Sequence, residues 1–137
     1  MPPNKYGKVA VLLGGESNER EISIQSGKAV FEALQSCNIE SFLIDPKIDS
    51  LNLIKKSDRA FICLHGKDGE DGKIQAYLDK IHIPYTGSDA KSSRLGMDKF
   101  LSKSIWNEKG VKTPAFVKID SKTKFKSIEQ KLGLPFF

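Results

Sequence analysis

The stretch Lys8-Val9-Ala10-Val11-Leu12-Leu13 is a continuous run of mostly apolar, branched residues that stops at Gly14-Gly15. A run without polar alternation is covered on both faces, which marks a strand inside a parallel sheet rather than a half-solvated antiparallel one. The residues that follow extend this pattern. Ile22, Ser26, Ala29, Val30, Ala33 and Leu34 recur at roughly the 3.6-residue period of an amphipathic helix, with Asn18 as its expected cap and Glu21 closing a capping box. Ser41 to Ile44 predicts a second strand, ended by Asp45-Pro46 because proline has no N–H for the ladder and restrains the residue before it. A short helix over Leu51 to Lys56 and a third strand over Ala60 to Leu64 come next. Then Ile74, Tyr77, Leu78 and Ile81 share one helical face, and Ile83 to Gly87 gives a brief fourth strand. Strand and helix in alternation predict an α/β domain with a parallel, Rossmann-like sheet.

Ligands of such sheets bind outside the carboxyl ends of the strands. The glycine-rich loops Gly14 to Asn18 and His65 to Gly72 both lie at those ends and are expected to line one mouth. Beyond Gly87 the pattern changes to a longer helical stretch with Met97, Phe100, Leu101, Ser104 and Ile105 on one face and Gly110 as its stop. A domain boundary is placed there, dividing the chain into 1–95 and 96–137. The second part reads as a strand over Thr113 to Ile119, a lysine-rich helix from about Ser121 to Lys131, and a final apolar run, Leu134-Pro135-Phe136-Phe137, of the kind that opens a buried strand. With no polar tail after it, the run reads as the start of a domain that continues.

The formal charge is 22 − 17 = +5, and ten lysines fall between Lys91 and Lys131. They are scattered among Ser, Glu and Ile without the aromatic interleaving or arginine clusters of a nucleic-acid groove, so a solvated face is expected and no nucleic-acid partner. Cys37 and Cys63 form no metal or disulfide spacing. The start, Met1 to Gly7, has no apolar signal core, and no stretch approaches the roughly 18 apolar residues of a membrane span. A cytoplasmic protein is expected.

In Gly14-Gly15-Glu16-Ser17-Asn18-Glu19-Arg20-Glu21 a strand–glycine–helix turn aims free N–H groups at an anion. The spacing fits neither the dinucleotide nor the P-loop template, and Glu16, Glu19 and Glu21 repel a polyphosphate. A ligand bearing an ammonium suits the loop better, since a carboxylate on the first turn offers it a charge-assisted hydrogen bond; Glu19 equally well complements the helix dipole. His65 stands beside Asp68, Glu70 and Asp71, but the spacing matches neither a zinc nor a calcium motif, and no metal is assigned. Its role is open between a structural hydrogen bond and a ligand contact. On chemistry alone Lys99 is one surface lysine among many.

Taken in order, Leu12 to Ser23, Leu64 to Gly72, Pro84-Tyr85-Thr86-Gly87-Ser88 and Met97-Asp98-Lys99 resemble the D-alanine–D-alanine ligase family, bacterial ATP-grasp enzymes of peptidoglycan synthesis. Thr113-Pro114 and Leu132-Gly133-Leu134-Pro135 continue the likeness, so that it covers nearly the whole chain. The resemblance implies a pre-ATP-grasp substrate domain over 1–95, and a linking helix with the incomplete start of the central ATP-grasp α+β domain over 96–137.

The chemistry it implies is that ATP phosphorylates the carboxylate of one D-alanine and the amine of a second attacks the acyl phosphate, with Mg2+ assisting. By the same resemblance Glu19 is the catalytic and substrate-binding carboxylate that holds the first D-alanine's ammonium. His65 sits near the substrate carboxylates, Gly14 and Gly15 belong to the substrate mouth, Lys99 reaches toward ATP, and the protein is a homodimer. The family's nucleotide pocket, metal-binding carboxylates and oxyanion-stabilising arginine belong to segments absent from these 137 residues, so this chain alone is expected to have little or no ligase activity. Two other readings stay open: a related ATP-grasp ligase using D-lactate as second substrate, and a non-catalytic amino-acid-binding module.

Overall fold

The computed structural model describes residues 5–136. Met1 to Asn4 and Phe137, on which the readings of the amino-terminal segment and the final apolar run partly rest, lie outside the described residues. The chain forms two compact units, Met1–Met97 and Asp98–Phe137.

The first unit is an α/β layer built on a three-stranded parallel sheet in the order β2-β1-β3, with β1 at Val9–Leu12, β2 at Ser41–Ile44 and β3 at Arg59–Ile62. Val9 is in register with Ser41 on one side and Arg59 on the other, and Leu12 with Ile44 and Ile62. All four β1 residues are buried, as an uninterrupted apolar run requires. Val9, Val11 and Leu13 face helix α1, Arg20–Ser36, and meet Val30, Phe31 and Leu34. Ala10 and Leu12 face the opposite way and pack with Ile44, Ile54, Ile74 and Leu78, beneath a 3₁₀ turn at Leu51–Lys56 and helix α2 at Lys73–Lys80. Each fully buried Leu or Ile there contributes about 1.5–3 kcal/mol relative to exposure.

The face that α1 buries is only in part the one the periodicity picks out: Val30 and Leu34 pack against the sheet, but Ala29 and Ala33 are exposed. Ser23 and Gly27 are buried while Ile22 is 54% exposed. A Cβ on Gly27 would lie 2.4 Å from Leu13 Cβ, so the two small residues let the helix settle closely onto β1 alongside Val30 and Leu34. Nor does Asn18 cap the helix. Glu19 occupies the cap position without a side-chain bond, and Ser17 takes up the turn, its Oγ accepting from Glu19 N at 3.2 Å and its carbonyl from Arg20 N at 3.1 Å.

The expected fourth strand is a single parallel bridge between Ala60 and Tyr85. Pro84 has no N–H to donate, and the Ile62 N–H goes to Thr86 Oγ1 at 3.0 Å instead of a backbone carbonyl, so the ladder cannot extend. The short helix expected before β3 is present over Leu51–Lys56, as a 3₁₀ helix. The long helical stretch is two helices, α3 at Ala90–Met97 and α4 at Lys99–Glu108, because Asp98 leaves helical geometry and its Oδ1 caps Leu101 N at 2.9 Å.

In the second unit α4 ends where Gly110, at φ +72°, lets Val111 N reach Trp106 O at 2.8 Å. Thr113 to Ile119 is not a strand: among the described residues no neighbouring strand offers it a ladder, and Phe116 instead meets Phe100 edge-on at 5.5 Å. Helix α5, Phe125–Leu132, starts later than the lysine run suggests. Asp120 and Thr123 claim the preceding residues for a turn, in which Asp120 Oδ1 accepts from Lys122 N at 2.9 Å and Thr123 Oγ1 at 2.8 Å. Among the described residues no helix is long and apolar enough to cross a membrane.

Candidate functional site

The chain leaves β1 toward β2 in one direction and reaches β3 on the other side, so the strand order reverses at β1. A crevice opens at the carboxyl edge of such a switch point. Three segments converge on it: Gly14-Gly15 after β1, Asp45-Pro46 after β2, and the loop from His65 after β3. Together they enclose a cavity of about 330 Å³ whose wall includes Gly14, Gly15, Glu16, His65, Lys67 and Tyr77.

Buried polar contacts hold the three segments. Ser23, fully buried on α1, accepts from Gly14 N at 2.8 Å and donates to Cys63 O at 2.6 Å, tying the ends of β1 and β3 to one hydroxyl. Arg20 grips the end of β2, with Nη1 3.0 Å from Asp45 Oδ1 and Nη2 2.5 Å from Oδ2. Arg20 Nη1 also donates to Gly15 O at 2.7 Å, and Gly15 N donates to Asp45 Oδ1 at 3.0 Å. Gly14, at φ +78°, admits no side chain, since a Cβ there would lie 2.5 Å from Asp45 Oδ2. Burial pushes the Asp45 carboxyl up, but hydrogen bonds from Arg20 and from the Gly15 and Lys47 amides outweigh it and hold the group below the usual carboxylate range.

The His65 loop is capped from within. Gly66 N donates to Glu70 Oε2 at 2.9 Å, and Asp71 accepts from Asp68 N at 3.1 Å and from Lys73 N at 3.2 Å. Lys73 pairs with Asp68 and lies 3.7 Å from Asp71. These carboxylates are spent on backbone amides and a lysine, and among the described residues no group of three or more His, Cys, Asp or Glu is placed to hold a metal. His65 Nδ1 stands 3.8 Å from Glu70 Oε1, beyond hydrogen-bond reach.

Glu19 is not part of the cavity wall. Its carboxylate packs against Gly66, where a Cβ would come within 2.7 Å of Oε2, and among the described residues it makes no side-chain hydrogen bond or ion pair. The structure thus brings Gly14, Gly15 and His65 to one cavity and Glu19 against the loop that bounds it. Lys99 belongs to the second unit, where it opens α4.

The family model described as "D-ala D-ala ligase N-terminus" matches residues 42–88, which contain Asp45 and the whole His65 loop. A D-alanine–D-alanine ligase of Dechloromonas aromatica is 48% identical over 134 residues, 98% of this chain and 44% of its own length. One from Nitrosomonas europaea is 48% identical over 137 residues, covering 45% of its length. This chain is similar to the N-terminal region of D-alanine–D-alanine ligases. The crystal structure of the Bacillus anthracis ligase complexed with ATP superposes with a TM-score of 0.82 at 34% identity, over 90% of this chain and 44% of that one. The chain therefore spans a little under half the length of the ligases it matches.

Within that ligase-type framework, Arg20, Ser23 and Asp45 are the residues that sequence reasoning passes over. One signal was available. A cation in the first turn of a helix opposes the macrodipole, so Arg20 at the start of α1 calls for an acidic partner, and Asp45 is the acid at the same edge of the sheet. Ser23 carries no comparable signal, because a serine inside an amphipathic pattern looks solvated until the helix is seen to lie on β1.

Proposed function

We propose that this chain is the amino-acid-binding part of an ATP-dependent D-alanine–D-alanine ligase serving peptidoglycan precursor synthesis, and hence cell-wall integrity, in the bacterial cytoplasm. The observation that carries the reading is the Glu19 carboxylate, without a partner among the described residues and set against Gly66 beside a cavity lined by Gly14, Gly15 and His65. An ammonium is the partner such a carboxylate lacks. The first D-alanine places its ammonium at Glu19 and its carboxylate toward His65, near Lys67, whose ammonium also has no acidic partner among the described residues. In the reaction the D-alanine carboxylate takes the γ-phosphoryl of ATP. The amine of a second D-alanine then attacks the acyl phosphate, forming the peptide bond and expelling phosphate.

Residues 1–95 serve as the substrate domain and 96–137 as the linking helix and opening of the ATP-grasp domain, with Lys99 as a nucleotide contact. The described residues do not fit a magnesium site, so no step is assigned to Mg2+ on this chain. The whole protein works as a homodimer. Support for that comes from the first unit, where α1 leaves beside β3 a largely apolar concavity of about 970 Å³ lined by Leu34, Ile39, Phe61 and Tyr85.

Titrating the 137-residue chain with D-alanine, followed by amide chemical shifts, tests the reading. Shifts at Gly14, Gly15, His65 and Gly66 are expected, and both Glu19→Gln and Gly66→Ala should abolish them. The alanine variant acts by driving a methyl into the Glu19 carboxylate at a backbone φ of +61°. Wild-type chain whose spectrum ignores D-alanine would overturn the assignment. Phosphate release from ATP by this chain alone is expected to stay at background.

A further inference from the structure

The mouth carries a charge problem that the ammonium reading leaves open. Glu16, Glu19 and Glu21 cluster at the start of α1, and Arg20 stands among them in the sequence. Left to itself that guanidinium is an internal ammonium substitute, tethered at very high effective concentration, and Glu16 and Glu21 already act on its charge. In the structure Asp45 takes it away. Both guanidinium nitrogens turn to the end of β2, at 3.0 and 2.5 Å, and the Gly15 carbonyl accepts a further bond from Nη1 at 2.7 Å. Asp45 is itself fixed by the Gly15 and Lys47 amides, each at 3.0 Å, while its own N–H is held by Asp49 Oδ2 at 2.9 Å. The Asp45 carboxylate is thus held by backbone amides as well as by the guanidinium.

We propose that Asp45 is a specificity-determining positioning residue: it sequesters the Arg20 guanidinium so that the Glu19 carboxylate stays open to a ligand's ammonium. Neither Arg20 nor Asp45 touches the ligand. The proposal rests on the reading that Glu19 binds the ammonium of D-alanine.

Removing Asp45 releases Arg20 to pair with the glutamates and compete with the ligand, whereas removing Arg20 as well removes the competitor. In D-alanine titrations of the 137-residue chain, Asp45→Asn should weaken binding at least tenfold, and Arg20→Gln/Asp45→Asn should recover to within about threefold of wild type. A merely structural pair predicts the opposite order, with the double variant no better than the single one. D-lactate, which has no ammonium, is the control probe: its binding should not differ between wild type and Asp45→Asn. Thermal melts of each variant identify any that fails to fold, and Asp45→Ser, which also removes the carboxylate, takes the place of an unfolded Asn variant under the same expectations. Wild-type affinity in the single variant, or equal losses in single and double, overturns the proposal while leaving the Glu19 reading intact. A wild-type chain that binds no D-alanine overturns both.

Discussion

The two units of this chain solve the same problem unequally. In the first, β1 is buried along its whole length, and Leu12, Ile44, Ile54 and Leu78 are fully withdrawn from water. In the second, neither α4 nor α5 buries a residue, and Trp106, Ile119, Phe125 and Leu134 are all more than 40% exposed. Burial of apolar area is the main term opposing chain entropy. The sheet unit is thus held by its own core, while the helical unit owes its order to short-range devices: the Asp98 cap, the Gly110 stop, the Phe100–Phe116 edge contact and the Asp120 turn.

The contrast breaks most sharply under core truncation. Leu12→Ala should destabilise the first unit by about 2–5 kcal/mol, the usual range for a buried leucine in a core that cannot collapse. Trp106→Ala, on the half-exposed surface of α4, should change stability by less than about 1 kcal/mol. Urea denaturation followed by far-UV circular dichroism measures both, and equal shifts in midpoint would mean that the helical unit has a core of its own. Trp106 is the single tryptophan, so its fluorescence in wild type reports the second unit alone. That signal should be lost at lower urea than amide protection at Val11 and Leu12.

Acid sharpens the same contrast through two aspartates. Asp45 and Asp120 are both held below the ordinary carboxylate range, but by different surroundings: the first by Arg20 and two amides against the opposing effect of burial, the second by Thr123 and Lys122 in an exposed turn. A carboxyl whose folded value lies below its unfolded one stabilises the fold fully above the unfolded value, near ~3.9, and loses that contribution as pH falls through the folded value. Stability from Asp45 should therefore disappear at the acid end, below roughly pH 4, and Asp45→Asn should flatten that limb of the stability curve. Asp120→Asn should leave the curve nearly unchanged, because a solvated turn gains little from its charge.

Legibility in the sequence follows the same division. The parallel sheet was readable because β1 is apolar on every residue, and the two glycine loops were readable as a mouth because parallel strands put all their exits on one edge. On α1, Val30 and Leu34 were readable but the burial of Ser23 and Gly27 was not, since these two matter through what they allow the backbone to approach rather than through hydrophobicity. Tyr85 was given a strand that Pro84 and the Thr86 hydroxyl prevent. Thr113 to Ile119 has the composition of a strand, but a strand is defined by its neighbour, which no local pattern reveals. At the site, Gly14, Gly15, Glu19 and His65 stood out by type and place, whereas the Arg20–Asp45 pair needed the three-dimensional fact that β2 ends beside the start of α1.

The smallest expected effect carries the comparison into function. Lys99 opens α4 as an exposed residue just after the capping Asp98, so Lys99→Ala should move stability by no more than about 0.5 kcal/mol. If amino-acid recognition is confined to the first unit, the same variant should bind D-alanine with unchanged affinity in the 137-residue chain, while Glu19→Gln does not. In a full-length ligase carrying this region, Lys99→Ala should raise the KM for ATP and leave that for D-alanine nearly unaltered, since a cation on a phosphate acts as a local charge. Loss of D-alanine affinity in the short chain would place Lys99 in the amino-acid site, and the functional division between the units would fall with it.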